Sequence, residues 1–298
     1  MITFKEVSKS FQEDFWKPKR LALDNLSFSL EEGKVTGFLG RNGAGKTTSI
    51  KIILDFIRPD QGVISFSKTL GTNQRKIKSN IGYLPERPYF YPDLTGKDYC
   101  RYLIELNDKK FRDYKSRFFE LAETLKMTLA IDQKMKGYSK GMLQRIGFIS
   151  TVLHDPKLII MDEPLSGLDP IGRKELKEAI LTEKSRGKTI FFSSHIVPDL
   201  EEVSDNILLI EKGKKIKEDK LEKMLEGNST EILFILKYKN VISFDNFNSD
   251  PHGEYQHLTL PMVKKTSFLD YIKEHNIELI SFAPVNPSLE DLVYGAHL

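Results

Sequence analysis

Apolar residues fall along the first eighty or so positions in short runs, ITFKEV, LSFSL, KVTGFLG, VISF and NIGYL, separated by polar, charged and glycine- or proline-containing stretches. Alternation at period two and brief continuous apolar runs mark strands. This stretch therefore predicts strands around one helix, TTSIKIIL, beginning near Lys46. From about Thr95 to His154 the period changes. TGKDYCRYLIEL and KFRDYKSRFFELAETLKM space their apolar residues by three and four with charges between, which predicts a helical insert. The apolar strand KLIIMDE then returns, followed by a helix from about Ile171 to Lys184, the strand TIFFSSH, a short helix after Pro198 and the strand DNILLI. EKGKKIKEDK reads as a solvated basic turn. Beyond it the pattern shifts to strands EILFILKY and HLTLPM, a helix TSFLDYIKEH, a strand IELISF and a terminal helix SLEDLVYG. The expected organisation is an α/β domain over 1–220, with its helical part at about 88–155, and a small α+β domain over 221–298.

Length agrees with that division, since 298 residues exceed the usual span of one compact domain. The 45 basic and 42 acidic residues are too evenly balanced to argue for a nucleic-acid partner, and none is expected. The single cysteine, Cys100, excludes an internal disulfide and fits a reducing compartment. MITFKEVSKSF begins as a strand and not as a targeting segment, and no run approaches about 18 consecutive apolar residues. The chain is thus expected neither to be secreted nor to span a membrane by its own sequence.

The candidate chemistry begins at GRNGAGKTT, directly behind VTGFLG. Glycines let a backbone approach a ligand closely, and successive N–H groups around a turn form an anion nest. A helix starting there adds the positive end of its dipole. Gly40, Arg41, Asn42, Gly43, Ala44, Gly45, Lys46, Thr47 and Thr48 are therefore expected to hold the phosphates of a nucleotide. Lys46 would reach the β- and γ-phosphates, and the Thr47 hydroxyl would ligate Mg²⁺. Asp162 follows the apolar LIIM, where a buried parallel strand would carry its carboxylate beside the phosphate loop to hold the metal through its water shell. Its neighbour Glu163, diverging at the strand end, is the candidate base for the attacking water.

MDEPLSGLDP, at Met161 to Pro170, resembles the catalytic strand and D-loop of ABC transporter ATP-binding subunits. The resemblance covers roughly Ile2 to Lys220 and implies a P-loop NTPase core, a RecA-like mixed sheet with an antiparallel β-subdomain and an α-helical insert. It places Asp169 among the nucleotide-binding residues. It also implies a signature motif, usually LSGGQ, about twenty residues before the catalytic strand. This chain has YSKGM there, with lysine for the first glycine and methionine for the glutamine. Ser139 and Gly141 remain to offer a hydroxyl and a backbone N–H to phosphate at a helix start. His195, ending TIFFSSH, matches the family's switch histidine near the γ-phosphate. Glu86, in IGYLPER, stands where many members carry the Q-loop glutamine and is expected to reach metal or water. The adenine-stacking aromatic is assigned to Phe11, with Phe15 and Trp16 as competitors in the lengthened FQEDFWKPKR loop.

The resemblance implies an ATPase subunit using ATP and Mg²⁺ that works as a head-to-tail pair with a second copy or a homologous subunit. Each nucleotide would lie between the phosphate loop of one copy and YSKGM of the other. Transport, expected to be export, would run through a separate integral membrane subunit, and the chain would be cytoplasmic, peripheral on the inner face of the membrane. RPYFYPDLTGKDY is either the contact with that subunit or packing within the helical insert. Two rivals stand beside this reading: a soluble regulator acting on ribosomes or nucleic acid, and a nucleotide-dependent binding module without useful hydrolysis.

Overall fold

The computed structural model describes residues 1–12, 16, 18–226, 231–238 and 240–285. By its internal contacts the chain divides into two compact units, Met1–Lys220 and Leu221–Leu298. In chain order the first holds β1 (Ile2–Phe11), β2 (Arg20–Leu30), β3 (Val35–Leu39), α1 (Lys46–Ile53), β4 (Gln61–Phe66), α2 (Gln74–Ser79), β5 (Ile81–Leu84), α3 (Gly96–Glu105), α4 (Lys115–Thr124), α5 (Lys140–Val152), β6 (Leu158–Met161), α6 (Pro170–Ser185), β7 (Thr189–Ser194), α7 (Val197–Glu201), β8 (Asn206–Glu211) and β9 (Lys214–Lys220).

These strands form two sheets. One is antiparallel, in the order β2-β1-β4. The other runs β5-β6-β7-β3-β8-β9, parallel except for β9, which returns antiparallel to β8. The architecture is α/β, a P-loop NTPase core with an antiparallel sheet and a helical insert. Phenylalanines join the sheets: Phe4 stacks on Phe28 at 4.4 Å between centroids, Phe28 lies 5.9 Å from Phe191, and Phe191 lies 5.0 Å from Phe38. β3 and β6 are buried at every position, as continuous apolar runs in a parallel sheet must be.

The strand order positions the site. Ligands of open parallel sheets lie beyond the carboxyl ends of the strands. With β6, β7 and β3 adjacent, Leu39, Met161 and Ser194 end side by side, and the loops after them meet. β5, beside β6, brings the segment containing Glu86 to the same end.

Several elements depart from the sequence expectation. α2 was not expected; Ile77 is its one buried residue, so it shows no apolar period, and it starts because the Asn73 side chain accepts the Lys76 N–H. KFRDYKSRFFELAETLKM is not one helix. It opens with a 3₁₀ turn, Phe111–Tyr114, and α4 closes at Thr124 before Lys126 turns left-handed at φ 53°. The basic turn is only Lys212 and Gly213; the residues behind it form β9, an exposed edge strand whose charges discourage pairing with other chains.

The second unit holds α8 (Leu221–Glu226), β10 (Glu231–Lys237), β11 (Ser243–Phe244), β12 (Phe247–Asn248), β13 (Asp250–His252), β14 (Tyr255–Pro261), α9 (Lys265–Glu274) and β15 (Glu278–Val285). Four strands pair antiparallel in the order β13-β14-β10-β15. Period-two alternation points Ile232, Phe234 and Leu236 of β10 inward, where Leu258, Leu260, Phe268 and Ile272 complete the core. The terminal helix expected at SLEDLVYG lies outside the described residues.

Candidate functional site

The glycine loop closes around its own lysine. α1 starts at Lys46, and Gly45 before it takes φ 113°, a conformation that glycine alone adopts freely. A methyl group there would also come within 2.8 Å of the Ala22 carbonyl oxygen. Lys46 Nζ, almost fully buried, donates to the Gly40 carbonyl at 2.5 Å and lies 3.2 Å from Glu163 Oε1. Ala44 is buried in the loop's base.

Behind the loop, Asp162 is 2% exposed and accepts from two hydroxyls: Thr47 Oγ1 at 2.8 Å and Ser193 Oγ at 2.6 Å. Burial, then the charge of Asp162, pushes the nearby Tyr83 phenol up to about 12. The adjacent carboxylate faces elsewhere because Glu163 occupies the left-handed region at φ 49°. Its N–H donates to Ser193 Oγ at 2.9 Å, and its carbonyl accepts the Ser166 N–H at 3.1 Å. Glu163 Oε2 then stands 2.8 Å from His195 Nδ1. Glu163 Oε1 makes no hydrogen bond of good geometry, so its contact with Lys46 is an ion pair alone.

A cavity of about 670 Å³ opens above these groups. Of the residues singled out in the sequence, Phe11, Arg41, Asn42, Gly43, Gly45, Lys46, Thr47, Thr48, Glu86, Glu163 and His195 line it. Gly40, Ala44 and Asp162 lie behind that lining. Phe11 ends β1, 40% exposed, whereas Trp16 is 77% exposed and is not among the lining residues. Phe15 lies outside the described residues. Glu86 is half-exposed, 4.0 Å from Arg87 Nε.

Three further expected residues, away from the phosphate loop and β6, do not line the cavity of their own chain either. Ser139 caps α5, accepting the Met142 N–H, and Gly141 sits in that first turn. Asp169 caps α6 by accepting the Gly172 N–H at 3.0 Å. The Lys140 side chain crosses Gly167, so that a methyl group on Gly167 would collide with Nζ.

Sequence reasoning missed Arg20, Ala22 and Ser166 of the lining, and Ser193 beneath it. Arg20 sits opposite Phe11 in the β1–β2 register, and Arg20 and Ala22 share one face of the strand. A methyl group on Gly43 would meet Arg20 Nη2 at 3.4 Å, so the guanidinium lies against the crown of the loop. The available signal was RLALD, an alternating stretch that opens a strand at Arg20, the residue with which the FQEDFWKPKR loop was expected to end.

Thr47 Oγ1 and Asp162 Oδ2 are hard oxygen donors 2.8 Å apart, a set that suits Mg²⁺ keeping most of its waters. Among the described residues no cluster of three or more His, Cys, Asp or Glu forms a metal cage, so remaining ligands would come from phosphate and water.

Residues 23–166 match the family model described as ABC transporter. An uncharacterized ABC transporter ATP-binding protein of Synechocystis sp. is 35% identical over 96% of this chain and 81% of its own length. The bacitracin transport ATP-binding protein BcrA of Bacillus licheniformis is 32% identical, covering 91% of this chain and 90% of its own. Among solved structures, the ATP-binding subunit of an ABC transporter superposes with a TM-score of 0.66 at 26% identity, over 75% of this chain and 91% of that one.

Proposed function

The chain belongs to the ABC transporter ATP-binding family, and from that premise we propose that its cavity is one half of a shared ATPase site driving a separate membrane subunit. It is an ATP-binding and ATP-hydrolysing subunit. The observation that carries the assignment of roles is the meeting of Lys46, Glu163 and His195 above the Thr47–Asp162 pair.

Phe11 stacks on the base, and the N–H groups of residues 41–48 receive the phosphates, with Arg20 beside them. Lys46 is held near Glu163, and β- and γ-phosphate oxygens compete for the same ammonium. As Lys46 turns to phosphate, the Glu163 carboxylate is released to take a proton from water. That water forms a bond to the γ-phosphorus while the bond to the ADP oxygen breaks. His195 holds Glu163 in line, and Glu86 reaches the water or metal side of the site. Thr47 and Asp162 would hold Mg²⁺, which when bound would supply neutralisation of phosphate charge.

Ser139, Gly141 and Asp169, outside the lining of their own cavity, serve the nucleotide of a head-to-tail partner, either a second copy or a homologous subunit. ATP binding closes the pair and hydrolysis reopens it. Among the described residues no helix is long and apolar enough to cross a membrane. Movement of substrate belongs to an integral membrane partner that holds this subunit on the inner face, and its direction is export, because YSKGM, GYLPE and the tail NPSLEDLVYG together resemble the branch of the family that exports drugs, lipids or polysaccharides. A ribosome- or nucleic-acid-bound regulator is less well supported, because the relatives that match most of this chain are ABC transporter and bacitracin transport ATP-binding proteins.

The test separates binding from chemistry. Lys46→Ala weakens ATP binding, whereas Glu163→Gln keeps it and slows hydrolysis about 10²–10⁴-fold. Glu163→Gln with ATP elutes as a dimer and without ATP as a monomer. Near-normal turnover in Glu163→Gln refutes the assigned base, and a monomer with activity per mole independent of concentration refutes the shared site.

A further inference from the structure

The basic turn EKGKK carries no group of the catalytic chemistry, yet its backbone meets the phosphate loop. β8 and β9 pair with Glu211 opposite Lys214, so Lys212 and Gly213 alone connect them. Both take positive φ, 47° and 81°, the two-residue hairpin form that asparagine, aspartate and glycine favour. A lysine in that form is under strain, and Gly213 is buried where a hairpin tip is ordinarily solvated. More than reversal of the chain fixes this turn.

The contacts of Gly213 lie in the nucleotide site. Its N–H donates to the Ala44 carbonyl at 2.9 Å, and its own carbonyl accepts the Asp24 N–H at 3.0 Å. Ala44 is buried at the base of the loop, where a carbonyl without a donor is destabilising. Gly45 and Gly213 both lie against the Ala22 carbonyl oxygen: a methyl group on the first would come within 2.8 Å of it, and one on the second within 2.7 Å. Ala22 lines the nucleotide cavity beside Arg20. Near the end of β8, the Ile210 carbonyl oxygen would lie 2.7 Å from a methyl group on Gly40, where the loop begins. The segment Ile210–Gly213 thus grips the loop at Gly40 and at Ala44, and meets β2 at Ala22 and Asp24. Lys214 adds an ion pair to Asp24 at 3.0 Å.

We propose that Gly213 is a positioning residue of the ATPase: it holds Ala44, and through Ala44 the N–H groups of the loop and Lys46, in the arrangement that receives phosphate. An anion nest works only while its N–H groups converge, and a loop rich in glycine has little packing of its own to keep them so. The end of β8 and its turn supply that stiffness from outside the loop, so that less ordering is left for the nucleotide to bring about. The inference rests on the reading that residues 41–48 receive the phosphates, and it adds what keeps them ready. Coupling of this kind is reciprocal: a turn that favours the phosphate-binding form of the loop is itself tightened when phosphate binds.

The test is made on the full chain. Gly213→Ala sets a methyl group against the Ala22 carbonyl and is expected to raise Kd for ATP and ADP alike by about 5- to 150-fold, the equivalent of a buried carbonyl left without its donor, with adenosine affinity unchanged. Gly187→Ala is the control. Gly187 has the same φ, 81°, but among the described residues a methyl group on it would meet nothing within 4 Å. It carries the backbone strain without the displacement and should bind nucleotide as wild type does. Amide hydrogen exchange of the wild type needs no variant: ADP with Mg²⁺ should slow exchange at Gly213 and Asp24 about fivefold or more and leave Gly187 unchanged. A folded Gly213→Ala with wild-type Kd, an equal loss in Gly187→Ala, or exchange at Gly213 and Asp24 indifferent to nucleotide overturns the proposal. Lys46→Ala separates the two readings. If it too binds ATP as wild type does, the phosphate-loop reading fails and this inference with it, whereas a weakened Lys46→Ala beside an unaffected Gly213→Ala removes this inference alone.

Discussion

Glu163 Oε2 and His195 Nδ1 lie 2.8 Å apart and join the end of β6 to the end of β7. His195 is 43% exposed and Glu163 only 13%, so the imidazole forms the open side of a carboxylate otherwise enclosed. The histidine therefore fixes the carboxylate's direction, since Glu163 departs from its strand through a left-handed residue with few other side-chain anchors. His195→Ala is expected to lower kcat about 10²-fold, the cost of a misplaced reacting group, with little change in ATP affinity. Single-turnover hydrolysis beside equilibrium binding checks this. A matching loss of affinity would make His195 a binding residue.

Arg20 lies opposite Phe11 and touches the crown of the loop. A guanidinium there meets phosphate charge present in both ATP and ADP, and so binds ground state and transition state alike. Arg20→Ala should raise Kd for ATP and ADP together by about 10- to 150-fold, as loss of a charged hydrogen bond does, with kcat at saturation unchanged. Adenosine supplies the control. If its affinity falls equally, the contact is to base or ribose.

Parts of this site are legible in the sequence because each is punctuated locally. GRNGAGKTT breaks an apolar run with glycines, and an acidic pair directly behind LIIM, like a histidine behind FFSS, stands out from a buried strand. Whatever depends on strand order is not legible. Ser193 supports both Asp162 and the Glu163 N–H only because β7 lies beside β6, and Arg20 reaches the loop only through the register of β2 on β1. The left-handed φ of Glu163 also leaves no compositional trace. Similar reasoning covers α2 and β9: one buried isoleucine gives a helix no period, and seven largely charged residues do not read as a strand until β8 offers its edge.

His154, next to Lys109 at the root of the helical insert, has its pKa lowered to about 4 from an ordinary 6.5, chiefly by burial and then by the Lys109 charge, with Arg117 adding and Asp155 opposing. Between those values the unfolded chain binds a proton that the folded chain refuses. Stability is therefore full above about pH 6.5 and is lost as pH falls toward about 4, by an amount on the order of 3 kcal/mol. His154→Gln removes this component. Urea unfolding at pH 7 and pH 4.5 should show a smaller difference for the variant than for wild type, and equal differences would place His154 in water.

Among the described residues, those lining the nucleotide cavity run from Phe11 to His195, and the first unit, ending at Lys220, contains both of their sheets and the phenylalanine stack between them. The second unit has its own antiparallel sheet and core around Phe234 and Phe268. Its modest size makes it marginal alone, which suits a modulating part more than an independent one. A truncation ending at Lys220 should therefore bind ATP within about threefold of the full chain, as energetically independent sites do. Its dimerisation, basal turnover or coupling to the membrane partner should change. The measurement is nucleotide affinity and turnover of both proteins at the same salt and Mg²⁺ concentrations. A soluble, folded truncation without ATP affinity would assign the second unit to the nucleotide site, whereas unchanged affinity with altered turnover fixes it as a modulator.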